Sequence, residues 1–187
     1  KTEYLVKEVI RRSIEIPEKQ YYVIVPEQFS LEMQRKIVKM HPRHGFFNID
    51  VLSFHRLSYR IFAECNYQPK EILEDLGVSM MLRKILSEEE GDFLYFKKSM
   101  KKPGFIDELK SMLMEFIGYG VSWKQVEEVT KQLDENKSLC NKCEELGRIY
   151  ERFEKAIEGR FMVTEQILDI AREFTGKAPM LKNAVFY

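Results

Sequence analysis

The chain has 187 residues and a mass of 22.3 kDa, with 30 Lys+Arg balanced by 30 Asp+Glu. That length suits one domain, or one domain carrying a large insertion, and 44% hydrophobic residues with 13 Phe, 9 Tyr and 9 Met supply a core, which excludes wholesale disorder. No apolar run reaches the roughly 18–20 residues of a membrane span, the opening KTEYLVKEVIRRS lacks the apolar stretch of a signal peptide, and three cysteines are too few for a disulfide scaffold, which points to a reducing cytoplasm.

The charge is unevenly laid out. Residues 1–66 carry 11 Lys+Arg against 8 Asp+Glu and hold all three histidines, whereas residues 67–175 carry 17 against 22. Neither part has the basic footprint of a protein held mainly through phosphates. Nucleic acid, if bound, is bound in a local groove.

Leu5, Val6, Val9, Ile10 and Ile14 fall at helical spacing and predict a first helix. Tyr21-Tyr22-Val23-Ile24-Val25 reads as a buried strand ended by Pro26, and Phe29, Met33, Ile37 and Val38 follow it as a helical stripe. Asn48-Ile49-Asp50-Val51-Leu52 reads as a second strand, followed by Leu57, Ile61 and Phe62. Strand, short loop and helix, repeated, signal a parallel sheet with crossover helices. Ala184-Val185-Phe186-Tyr187 supplies a third strand.

Between about residue 70 and residue 175 strands vanish from the pattern. Met81, Leu82, Ile85 and Leu86 form one stripe. Phe105, Ile106, Leu109, Met112, Leu113, Phe116 and Ile117 form a broad one. Leu139, Cys143, Leu146, Tyr150, Phe153 and Ile157 make a 4-3-4-3-4 seam. Ser122-x-x-Gln125 predicts a capping box, Thr164 a cap for the helix carrying Ile167, Leu168 and Phe174, and Gly176 a stop. The expected plan is an α/β frame, residues 1–66 with 176–187, interrupted by a helical subdomain over 67–175.

Ligands of open parallel sheets bind beyond the carboxyl ends of the strands. Here those ends carry Gln28, suited to base edges, Phe54 and Tyr59, suited to stacking, and Arg56, suited to a phosphate or a base. Ser30 and Ser53 are placed to cap the next helices and leave amides for phosphates. The plainer alternatives are two caps with no ligand and a Phe54 that belongs to the core. Lys1-Thr2 before an amphipathic helix matches the end of G-x-x-x-x-G-K-[ST], whose glycines would lie upstream.

Other features read as packing or solvated surface. Cys140-x-x-Cys143 lacks a second ligand pair, and Cys143 falls on the seam, so both cysteines, like Cys65, are read as packing residues and no metal is expected. Glu88-Glu89-Glu90 reads as a solvated helix end, and Lys97, Lys98, Lys101 and Lys102 as a loop. His41 and His44 flank Pro42 without a carboxylate partner, and no catalytic constellation is present.

Val25-Pro26-Glu27-Gln28-Phe29-Ser30 followed by Val51-Leu52-Ser53-Phe54-His55-Arg56-Leu57-Ser58-Tyr59-Arg60 resembles the AddB (RexB) family, the B subunits of bacterial AddAB (RexAB) ATP-dependent helicase–nucleases. The similarity continues through Met81-Leu82-Arg83-Lys84-Ile85, Gly104-Phe105-Ile106, Glu115-Phe116 with Tyr119, and Ile149-Tyr150 with Phe153-Glu154, and ends at Ala184-Val185-Phe186-Tyr187, where the family's Walker B strand lies. The resemblance implies a P-loop, superfamily 1 helicase-like α/β domain with a large helical insertion, truncated at both ends, in the cytoplasm. It implies single-stranded DNA at Gln28, Ser30, Phe54, Arg56 and Tyr59, with reading of a Chi-type sequence during double-strand-break repair and end resection. It implies ATP and Mg²⁺ in the parent protein, with Lys1 and Thr2 as the Walker A lysine and hydroxyl. It also implies an AddA-like helicase–nuclease partner, and a nuclease motif and iron–sulfur cysteines outside this chain. The alternatives are an ATP-hydrolysing motor domain of another superfamily 1 helicase, and a helical interaction module on a degenerate P-loop scaffold.

Overall fold

Both faces of the first strand are apolar, and both are covered. β1 (Gln20–Ile24) is the central strand of a parallel sheet in the order β2–β1–β5. β2 (Ile49–Leu52) pairs with it from Tyr21 opposite Ile49 to Ile24 opposite Leu52, and β5 (Ala184–Phe186) from Gln20 opposite Ala184 to Tyr22 opposite Phe186. Alternate residues of a strand face opposite sides. Tyr21 and Val23 therefore join Ile49 and Val51 against Val6, Val9 and Ile10 of α1 (Thr2–Glu15) and Ile37 of α2 (Ser30–Met40). Ile24 and Leu52 face the other way, toward Leu57 and Ile61 of α3 (Phe54–Glu64), Ala178, and Phe174 of α8 (Ile167–Phe174). Each fully buried Val, Ile or Phe stabilises by about 1.5–3 kcal/mol, so this two-sided cover holds the frame.

The computed structural model describes residues 1–88, 91, 93–132 and 137–187. Over them the chain is mixed α/β, mostly helical with a small parallel sheet, and it divides into two compact units: residues 1–69 with 167–187, and residues 70–166. The sequence reading draws the second boundary after residue 175. α8 instead belongs to the first unit, because Phe174 meets the Phe62 ring edge-on at 6.1 Å and the Tyr67 ring at 4.6 Å. A helical stripe announces a helix but not the core it joins. Ile14, in the predicted stripe of α1, is exposed. The buried face of that helix ends at Ser13, whose hydroxyl donates to the Ile10 carbonyl at 2.8 Å.

The second unit is built on α4 (Asp75–Glu88), α5 (Phe105–Gly118), α6 (Trp123–Gln132) and α7 (Lys137–Ile157). Leu82, Phe93, Leu113, Ile149 and Phe153 are wholly inaccessible at its centre. The capping box before α6 is present: the Ser122 N–H donates to Gln125 Oε1 at 2.8 Å, and the Gln125 N–H donates to Ser122 Oγ at 3.4 Å. Three readings need correction. The α7 seam is buried only from Leu146 onward, since Leu139 is exposed and Cys140 and Cys143 are half-buried. The α8 approach is capped by Gln166, whose Oε1 takes the Val163 N–H at 3.0 Å, while Thr164 opens a short 3-10 turn. Strands do not vanish over 70–175: β3 (Glu71–Ile72) pairs in parallel with β4 (Phe161–Met162), and the Leu73 N–H extends the ladder to Met162 O at 2.8 Å. Two residues are too few to show a period of two. Of the acidic run at 88–90, Glu89 and Glu90 lie outside the described residues.

One buried acid escaped the sequence reading. Glu145 on α7 is 4% exposed. Its Oε1 accepts the N–H groups of Leu94 and Tyr95, each at 2.6 Å, and its Oε2 that of Phe96 at 2.9 Å. The carboxylate thus holds the 94–96 backbone, and with it the buried Phe96 ring.

Candidate functional site

β1 and β2 run in parallel, so their carboxyl ends open on the same side of the sheet. After Ile24 the chain passes Val25, still bonded through its N–H to Leu52 O at 3.0 Å, and reaches Pro26. Pro26 fixes φ at −55° and starts the 3-10 turn Glu27–Phe29, closed by the Phe29 N–H on the Pro26 carbonyl at 2.9 Å. After Leu52, Ser53 adopts the extended backbone of an N-cap, and its Oγ accepts the Arg56 N–H at 3.3 Å. Between these two loops lies a cleft of about 670 Å³. Ile24, Val25 and Pro26 line one side, and Phe54, Arg56 and Tyr59 the other.

Glu27 ties the two loops together. Its Oε2 takes a short hydrogen bond from the Ser53 hydroxyl, and its Oε1 lies 2.7 Å from Arg56 Nε. The Ser53 hydroxyl, then the Arg56 guanidinium, hold the Glu27 carboxyl below its ordinary pKa. Ser53 therefore donates to Glu27 and accepts from Arg56 at once. Phe54 is 59% exposed, which excludes the core alternative for it. Tyr59 is partly exposed but well supported: its ring stacks on His55 at 5.9 Å and meets Phe62 edge-on at 5.9 Å.

The predicted residues divide. Phe54, Arg56 and Tyr59 line one cleft with Ser53. Gln28 is exposed on the neighbouring turn, outside the lining. Ser30 departs from its predicted capping role: Phe29 is the N-cap of α2, and Ser30 is its first helical residue, 5% exposed, with a hydroxyl that finds no partner. Lys1 and Thr2 are exposed at the start of α1, beside Glu3, which pairs with Lys7 at 3.3 Å. Two exposed residues do not by themselves form a nucleotide site. Glu27 and His55 line the cleft although the sequence reading gave neither a role. Glu27 stood in the quoted motif, but a carboxylate beside a suspected DNA loop carries the wrong charge to draw notice.

Elsewhere, the Cys140 thiol lies 3.9 Å from the Thr130 carbonyl, and among the described residues no group of three or more His, Cys, Asp or Glu could hold a metal ion. His41 is buried, and its Nδ1 accepts the Arg43 N–H at 3.2 Å. Lys101 and Lys102 border a groove of about 540 Å³ with Arg83 and Asp107. No helix among the described residues is long and apolar enough to cross a membrane.

A family model described as ADDB, N-terminal matches residues 1–187. The B subunit of the ATP-dependent helicase/deoxyribonuclease of Lachnoclostridium phytofermentans is 36% identical over 171 residues, 91% of this chain and 15% of that protein. Proteins of the same name from Clostridium kluyveri and Bacillus cereus are 30% identical over 184 residues and 31% over 170, covering 98% and 88% of this chain and 16% and 14% of those proteins. The chain thus spans about 15% of the length of the curated relatives it matches.

Proposed function

The chain belongs to the AddB N-terminal family, and from that premise we propose that it is the helicase-like N-terminal part of a helicase/deoxyribonuclease B subunit that binds and scans single-stranded DNA during double-strand-break repair. The observation that carries this reading is the cleft itself. An exposed Phe54, a supported Tyr59 and Arg56 converge at the carboxyl ends of two adjacent parallel strands. Aromatic faces stack on bases whatever their sequence, at about 1–3 kcal/mol each. An arginine fork adds a base-edge contact of similar size. Gln28, on the next turn, completes the candidate DNA contacts, whereas Ser30, buried at the start of α2, would bear on the strand only through the position of that helix.

In this reading the small parallel sheet is part of a P-loop, superfamily 1-like frame, residues 70–166 are its helical insertion, and the chain acts in the cytoplasm. Lys1 and Thr2 belong to the nucleotide site of the parent protein, which uses ATP with Mg²⁺ to drive the motor. An AddA-like partner supplies most of the motor activity, and the AddB-like protein reads a Chi-type recognition sequence. Iron–sulfur ligands lie in other parts of the parent protein.

The test uses the complete AddB-like protein with its partner. In Phe54→Ala and Arg56→Ala, response to the recognition sequence should fall tenfold or more, the scale of one lost contact of about 1.4 kcal/mol, while unwinding persists. Two variants that scan and respond like wild type would refute the placement of the site.

A further inference from the structure

The cleft is unusual for a nucleic-acid contact in what it lacks, which is free positive charge. Apart from His55, its charged lining residues are Arg56 and Glu27, one of each sign and 2.7 Å apart. The rest of the lining is largely apolar: Ile24, Val25 and Pro26 face Phe54 and Tyr59. Its volume of about 670 Å³ falls within the roughly 300–1,000 Å³ of small-molecule sites.

The Glu27–Arg56 pair has little to do with folding. The two side chains are 54% and 57% exposed, and ion pairs of that kind contribute little stability. Its carboxylate end is nevertheless anchored. Glu27 is held by the Ser53 hydroxyl, and the same hydroxyl caps the helix on which Arg56 sits. The contact is made through Nε of the guanidinium. The depressed pKa of Glu27 keeps its charge in place through the neutral range.

We propose that Glu27 is the specificity-determining positioning residue of this cleft: by pairing with Arg56 through Nε and cancelling its charge, it makes the site select the ring of an unstacked nucleobase and reject the phosphate. A phosphate entering the cleft meets the Glu27 carboxylate. A neutral base meets aromatic and aliphatic walls and a guanidinium whose charge is already paired. The inference rests on the reading of the cleft as a single-stranded DNA site, and deepens it by naming the part of the nucleotide that is read.

Two substitutions separate charge from position. Glu27→Gln keeps an acceptor for Arg56 Nε but removes the negative charge, and Glu27→Ala removes both. In the complete AddB-like protein, anisotropy titrations across a salt series compare a short single-stranded oligonucleotide with one of the same length whose central bases are replaced by abasic sites. Wild type should bind the abasic form about tenfold more weakly, the scale of one lost stacking or base-edge contact. Glu27→Gln should gain affinity for the abasic form and steepen the dependence of log affinity on log salt by about 0.7, the increment for one further phosphate on a single strand. Glu27→Ala should do the same and also bring the two affinities together. A Glu27→Gln protein with wild-type salt slope and wild-type preference for bases overturns the inference. The underlying DNA reading fails in a different way: Phe54→Ala and Arg56→Ala would then bind every oligonucleotide as wild type does. Unchanged melting temperatures exclude a folding defect, and if Glu27→Ala does not fold, Glu27→Gln decides alone.

Discussion

Replacing Glu145 with Ala tests whether a buried carboxylate holds the 94–96 backbone. The substitution removes the acceptor of three backbone N–H groups. A hydrogen bond to a charged group contributes about 1.5–3 kcal/mol net, but the three donors do not lose equally. Leu94 is 77% exposed, so its N–H can turn to water, and Tyr95 can do so in part. Phe96 is 6% exposed, and its N–H would be stranded. The burial cost of the carboxylate itself disappears with it, which offsets part of the loss. The expected destabilisation is about 2–4 kcal/mol. Glu145→Gln retains one carbonyl oxygen but turns an N–H donor toward an N–H donor, and should cost about 1–2 kcal/mol. Trp123 is the only tryptophan and lies in the same unit as Glu145, so its fluorescence in a urea titration reports that unit. A Glu145→Ala midpoint shifted by less than about 0.5 kcal/mol equivalent, the range of an ordinary surface substitution, would refute the reasoning.

Two further outcomes follow from residues outside the cleft. Burial, then Arg43 and His44, push the His41 pKa below the usual 6.5, and the Arg43 N–H already occupies its Nδ1. The unfolded chain therefore takes the proton first as pH falls, so stability should decline from about pH 6.5 downward; circular dichroism melts should show this in wild type and a flatter profile in His41→Asn, and equal slopes would remove His41 as the cause. Cys140 and Cys143 are half-buried, so Cys143→Ala should cost about 0.5–1 kcal/mol; elemental analysis finding one metal per chain, lost on mutating either cysteine, would overturn their reading as packing residues.

The frame was legible because its strands are dense. Tyr21-Tyr22-Val23 is apolar on both sides, and a strand covered on both sides leaves no other pattern. The helices of the second unit were legible for the same reason, as was the Ser122–Gln125 box, a signal contained in four residues. What was missed depends on partners distant in sequence. Glu145 acts on residues about fifty positions away, and Glu27 on residues nearly thirty away. Ser30 looked like a cap by type, but the 3-10 turn moves the cap to Phe29 and buries the serine. At Cys143 the spacing gives a helix, yet burial begins a turn later, because periodicity gives the face of a helix and not where its neighbours begin.

Glu27 and Arg56 are joined through Ser53. A helix cap alone needs only an acceptor for the Arg56 N–H, and Asp or Asn would serve as well as Ser. A residue that must also donate to the Glu27 carboxylate needs a hydroxyl proton, which Asp at neutral pH does not have. Ser53→Asp would keep the cap and place a second carboxylate against Glu27, breaking the link between the loops. Ser53→Thr would keep both roles. The local backbone of α3 therefore tolerates several residues at this position, while the join between the VPEQ turn and the arginine helix admits few. The same hydroxyl makes the orientation of Arg56 depend on the loop after β1 as well as on its own helix. A base seated against Pro26 and Phe54 would thus press on both ends of one hydrogen-bonded chain, from Glu27 through Ser53 to the first turn of α3.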